Sequence, residues 1–75
     1  STLAERLDAR RKLVEATKAS FTLSEARYKS GIDSYLGLLD SQRALYLSQL
    51  DLIEIRLIES ANRVALYKVL GGGWN

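Results

Sequence analysis

The chain reads as all-α, a long antiparallel helical hairpin of the coiled-coil kind. Three observations say so. Apolar residues recur at steps of three, four and seven over two long segments, proline is absent from all 75 residues, and glycine is confined to Gly31, Gly37 and the run Gly71, Gly72 and Gly73. Glycines placed this way divide the chain into helix 1–29, a tip turn 30–33, helix 34–70 and a glycine-rich tail 71–75, all one unit.

In the first segment Leu7, Val14, Phe21 and Tyr28 stand seven apart, with Leu3 four before them, and Ala9, Ala16 and Leu23 make a second row of smaller residues. This is the heptad seam of a packed helix. Ser1 reads as lying inside a helix with no cap before it, as in a piece of a longer protein. Asp8, the cluster Arg10, Arg11 and Lys12, and Glu15 read as a solvated, ion-paired face rather than a nucleic-acid patch.

The turn follows. Lys29 and Ser30 before Gly31 mark a helix end, with glycine in the left-handed cap position and Ile32 where a contact with the last turn is common. Asp33 and Ser34 can each cap the next helix. So short a connection, about three or four residues, makes the helices adjacent and antiparallel.

The second segment carries two stripes. Leu36, Leu39, Tyr46, Leu50, Ile53, Leu57 and Val64 form a seam broken by Arg43 and Ser60, and Leu38, Leu45, Leu52 and Leu66 form another row around the helix. Two stripes suit the wall of a cylinder or the interior of a bundle, and periodicity does not choose between them. Residues 34–70 as one helix would span about 55 Å against about 43 Å for residues 1–29, so the arms are unequal. Glu25 with Lys29, and Glu59 with Arg63, are spaced as supporting i,i+4 pairs. Trp74, beyond the glycines, reads as a loop aromatic covering a core edge.

Chemistry is bounded by what is missing. With no Cys and no His, disulfides, the usual zinc sites, and Ser-His or Cys-His catalysis are excluded. No catalytic residue, metal site or cofactor is expected, and the chain does not read as an enzyme. Eleven basic against nine acidic residues leave a charge of +2, too slight and too mixed to call for nucleic acid. No apolar run approaches the ~20 residues of a spanning helix.

The stretch RYKSGIDSYLGLLDSQRALYLSQ, residues 27–49, resembles the R-Y-x-x-G-(V/I)-x-x-Y-L-x-L-L-D-(A/S)-Q-R tip of the TolC-like outer membrane factors of tripartite efflux pumps, and more closely their OprM-type branch. LYKVLGGGW, residues 66–74, is similar to the ending of their C-terminal helix, at the right separation. Residues 1–26 fit the preceding helix in general character. The resemblance implies a homotrimer whose hairpins build a periplasmic α-barrel beneath the outer membrane of a Gram-negative bacterium. In it, this hairpin would be the C-terminal one, meeting a periplasmic adaptor protein directly and an inner membrane transporter indirectly.

Carried over residue by residue, the resemblance implies a closing constriction at Leu36 and Asp40 and a closed-state latch at Tyr28. It also implies adaptor docking at Ser30, Gly31, Ile32 and Asp33, with Leu38 and Ser41 facing grooves between hairpins. Where some members have a basic residue and a second aspartate, this chain has Asp33 and Gly37, which favours a single carboxylate ring. Outside the resemblance, Asp40 reads as a surface carboxylate paired with Arg43, Tyr28 as the end of the seam, and residues 30–33 as a turn and nothing more.

Two other readings remain. One is a generic antiparallel coiled coil for oligomerisation or scaffolding. The other is the hairpin of an adaptor itself, whose tip signature of Arg, Leu four on and Ser seven further is absent, since Arg43 and Leu47 lead to Glu54.

Overall fold

The computed structural model describes residues 2–71, which form α1 (Leu3–Lys29) and α2 (Tyr35–Val69) with no strand among them. The helices pair antiparallel into a rod with extents of 62 × 23 × 13 Å. Trp74 lies outside the described residues.

In place of the uncapped start expected from sequence, α1 opens on a capping box. Thr2 Oγ1 accepts the Glu5 N–H at 3.1 Å, and Glu5 Oε1 accepts the Thr2 N–H at 2.7 Å. Two orphan donors of the first turn are thereby satisfied. The Thr2 hydrogen bonds hold the Glu5 carboxyl below its ordinary 4.5. A depressed carboxylate supports the fold above its unfolded pKa, and that support is lost as pH falls through the folded value.

Two heptad rows meet between the helices. From α1 come Leu3, Leu7, Arg10, Val14, Thr17, Phe21 and Ser24, all buried or half-buried; from α2 come Leu38, Ser41, Leu45, Ser48, Leu52, Ile55 and Glu59. Both rows run in alternating steps of three and four, the spacing that keeps a seam facing its partner. Of the two stripes on α2, the row through Leu36, Leu39, Tyr46, Leu50, Ile53, Leu57 and Val64 is exposed, while Leu38, Leu45 and Leu52 of the other row pack against α1 and its Leu66 is exposed. The packing row is the less apolar one, because serines at positions 41 and 48 occupy the seam.

Polar residues set the register. At mid-seam Thr17 Oγ1 and Ser48 Oγ are 2.7 Å apart, and Ser48 is only 4% exposed. Each hydroxyl also reaches a carbonyl of its own helix, Thr17 to Leu13 at 2.9 Å and Ser48 to Leu45 at 2.8 Å. Whichever gives its proton across the seam, the other gives its own to a backbone oxygen, so neither is left unpaired. Further from the tip, Arg10 pairs with Asp51 across the helices. Its buried Nε–H is not aligned on an acceptor, so the contact is a charge pair rather than a linear hydrogen bond. Arg10 therefore belongs to the seam and not to the solvated face assigned from its neighbours. Asp8 with Lys12 and Glu59 with Arg63 do form surface pairs, whereas Glu25 and Lys29 do not.

A seam so rich in small polar residues buries little. Leu7, Leu52 and Ile55 are the buried apolar residues, with Leu3 and Val14 packed against them, while eighteen large apolar side chains among the described residues stay exposed. They include Val64, Leu66, Tyr67, Val69 and Leu70 at the end of α2.

Ile55, 2% exposed, and Leu57, 65% exposed, distinguish the two stripes. In dilute monomeric chain, Ile55→Ala should cost about 2–5 kcal/mol and Leu57→Ala within about 0.5 kcal/mol in denaturation followed by circular dichroism. Equal losses would show that Leu57 also packs. Raised to micromolar concentration, the isolated chain should form dimers or larger bundles through the exposed stripe. A folded monomer throughout in sedimentation would overturn that.

Candidate functional site

The tip is built by three independent devices. The first is a Schellman closure of α1: Ile32 N–H reaches the Arg27 carbonyl at 2.8 Å and Gly31 N–H the Tyr28 carbonyl at 3.0 Å. Gly31 makes this possible at φ 77°, a left-handed conformation that costs a side-chain-bearing residue about 1–2 kcal/mol. Ser30 caps the helix and returns its hydroxyl to the Ala26 carbonyl at 2.9 Å.

The second is the cap of α2. Ser34, not Asp33, is the N-cap, with Oγ accepting the Gly37 N–H at 3.0 Å. Asp33 does something else. Its Oδ2 accepts the Arg27 Nε–H at 3.1 Å, and its own N–H reaches the Arg27 carbonyl at 3.3 Å. Arg27 thus ties the turn with both its backbone and its side chain.

The third is aromatic. Tyr28 and Tyr35 flank the turn with ring centroids 5.7 Å apart, tilted by 52°, within the range of favourable aromatic pairs. Tyr28 is 39% exposed, and its hydroxyl makes no hydrogen bond among the described residues. It is therefore an edge residue with a free polar end, beyond the packed part of the seam.

Leu36 is 68% exposed, and Asp40, one turn on, is exposed too. They present an apolar group and a carboxylate on the same side of α2, one turn apart. Arg43 makes no ion pair with Asp40, so that surface pairing is absent. Leu38 and Ser41 lie elsewhere than expected: both are half-buried on the seam within the hairpin, with Ser41 Oγ donating to the Leu38 carbonyl at 2.8 Å. Both lie on the side of α2 that packs against α1.

Beside the tip runs a shallow open groove. Its walls bring together Ser24 and Arg27 of α1 with Asp33, Gly37, Asp40 and Ser41. Ser24 Oγ donates to the Gly37 carbonyl at 3.4 Å, a close approach of the two helices that small residues permit. No group of three or more His, Cys, Asp or Glu suited to a metal ion occurs among the described residues. Arg27 is the site residue that reasoning from sequence missed. Its position six before an aspartate, across a glycine turn, was the available signal.

The model of the family described as outer membrane efflux protein matches residues 1–72. Among curated relatives, the solvent efflux pump outer membrane protein SrpC of Pseudomonas putida is 46% identical over 74 residues, covering 99% of this chain and 16% of that protein. The probable efflux pump outer membrane protein TtgC of Pseudomonas putida is 49% identical over 73 residues, covering 97% and 15%. The pyoverdine export outer membrane protein OpmQ of the same species is 44% identical over 61 residues, covering 81% and 13%. The chain thus spans about a sixth or less of the length of these relatives. No solved structure matches it significantly.

An added Cβ at Gly31 would meet nothing within 4 Å, so the penalty there is backbone strain alone. Gly31→Ala should cost about 1 kcal/mol, and Ser34→Ala about the same through loss of the cap. Thermal denaturation reads both. A neutral Gly31→Ala would mean that the turn relaxes out of the left-handed conformation.

Proposed function

The chain belongs to the outer membrane efflux protein family, and on that footing we propose that it is the periplasmic tip hairpin of an efflux channel. The single observation that carries this reading is the exposed pair Leu36 and Asp40, one helical turn apart beside a rigidly capped turn. Repeated around the axis of a homotrimer, Leu36 makes an apolar constriction and Asp40 a ring of carboxylates. A narrow apolar ring resists wetting, and a carboxylate ring admits cations and repels anions. Together they form the closing point of an exit duct.

The second stripe of α2 supports a place in an α-barrel wall. A helix that packs on α1 through Leu45, Leu52 and Ile55 and still exposes Tyr46, Leu50 and Ile53 has an unpartnered face for a neighbouring hairpin. Tyr28, with its unbonded hydroxyl, is the latch that reaches such a neighbour while the duct is shut.

The turn itself, Ser30, Gly31, Ile32 and Asp33, is the docking point for a periplasmic adaptor protein. Gly31 permits close backbone approach, Ile32 is an apolar contact 66% exposed, and the short polar residues supply hydrogen bonds. Through the adaptor the channel joins an inner membrane transporter. No helix among the described residues is long and apolar enough to cross a membrane. That fits a segment standing in the periplasm as part of an outer membrane protein. Relatives named for solvent and for pyoverdine are 46% and 44% identical to it, so likeness over this hairpin does not single out one cargo.

The test is conductance. Leu36→Ala and Asp40→Ala, placed in the full-length protein and reconstituted in planar bilayers, should each raise the open probability, and Asp40→Ala should also reduce cation preference. Channels indistinguishable from the parent in both respects would refute the constriction and favour a scaffold role.

A further inference from the structure

Asp40 does not stand alone in its groove. Arg27, Asp33 and Gly37 line the same depression, and Arg27 is engaged with Asp33. Asp33 stands in the turn before α2 and Asp40 within α2, and among the described residues Arg27 pairs with Asp33 and not with Asp40. Gly37 lies between them. A Cβ there would come within 3.5 Å of Ser34 Oγ and 3.8 Å of Asp33 Cγ, so the Asp33 carboxyl already leans over the glycine. The absent side chain leaves the floor of the groove open from Asp33 toward Asp40. The Arg27 and Asp33 side chains are 47% and 34% exposed, so their pairing is in contact with water and weak enough to be exchanged.

We propose that Arg27 is a positioning residue with two alternative partners, and that its choice sets the effective charge of Asp40. Held by Asp33, Arg27 leaves Asp40 negative and uncompensated, as in this structure. Released, it swings over Gly37 and pairs with Asp40, cancelling the charge at the constriction. A basic side chain brought to the turn by a docking partner would compete for Asp33 and so release Arg27. Contact at the turn thereby reaches the carboxylate ring without refolding either helix. This rests on the constriction reading of Asp40 and adds a control to it.

The experiment is the cation-to-anion permeability ratio of the full-length protein in planar bilayers under a KCl gradient. Five forms are compared: parent, Asp40→Asn, Asp33→Asn, Arg27→Gln, and Arg27→Gln with Asp33→Asn. Asp33→Asn should lower the ratio by about twofold or more, toward that of Asp40→Asn, because a released Arg27 neutralises Asp40. Arg27→Gln alone should not lower it, and the double variant should recover it. Recovery by a second substitution is what mere loosening of the turn would not produce. A ratio equally low in Asp33→Asn and the double variant would overturn the proposal, as would an unchanged ratio in Asp33→Asn when Asp40→Asn lowers it. An Asp40→Asn channel equal to the parent would remove the constriction reading, and this control with it. Should Asp33→Asn not assemble, Asp33→Ser removes the same charge while keeping a turn-capping oxygen, with the same outcomes expected.

Discussion

Thr17 and Ser48 meet at 2.7 Å halfway along the seam, and most of the molecule follows from that close approach. Small hydroxylated residues let the helices come near, and the hydrogen bond between them favours this register, because a slip along the seam would give up the cross-helix bond and leave each hydroxyl only the carbonyl of its own helix. Register then determines the tip. With this pairing Ser24 reaches the Gly37 carbonyl, Tyr28 lies beside Tyr35, and Arg27 comes opposite the start of α2. The same closeness limits burial. A seam of serines and threonines cannot hide the leucines of α2, and most of its large apolar side chains are turned outward.

The tip, by contrast, is complete in itself. Gly31 closes α1 and Ser34 opens α2, so the N–H groups from Ser30 to Asp33 and those of Gly37 and Leu38 already have partners. A partner arriving there finds no strand edge or unpaired ladder to extend. On the reading proposed above, recognition would fall to side chains and shape, with Ile32, the Asp33 carboxylate and the close access at Gly31 as what the turn offers.

The hairpin, the glycine turn and the two-sided character of α2 were legible in the sequence, because heptad spacing and glycine punctuation are local signals. The identity of the packed stripe was not. Leu36, Leu39 and Tyr46 outweigh Ser41 and Ser48 in apolar content, yet the serines lie inside, since what decides burial here is how closely the helices approach and not which row is greasier. Arg10 misled for a similar reason: its neighbours Arg11 and Lys12 are solvated, but its own heptad position faces Asp51. At the tip, Leu36 and Asp40 are exposed, as their positions outside the packed row require. The partnership of Arg27 with Asp33 depends on chain reversal, which residue spacing along a helix does not encode.

Toward the tip the polar contacts that hold the rod run Arg10 with Asp51, Thr17 with Ser48, Ser24 with the Gly37 carbonyl, and Arg27 with Asp33 of the turn. The first and last are ion pairs that dissolved salt weakens, and the two between are neutral bonds that salt scarcely affects. A rise in ionic strength should therefore loosen the rod at its Arg10–Asp51 end and spare its waist and its capped tip. Such a rod is a clamp closed at the turn, whose arms part from the other end.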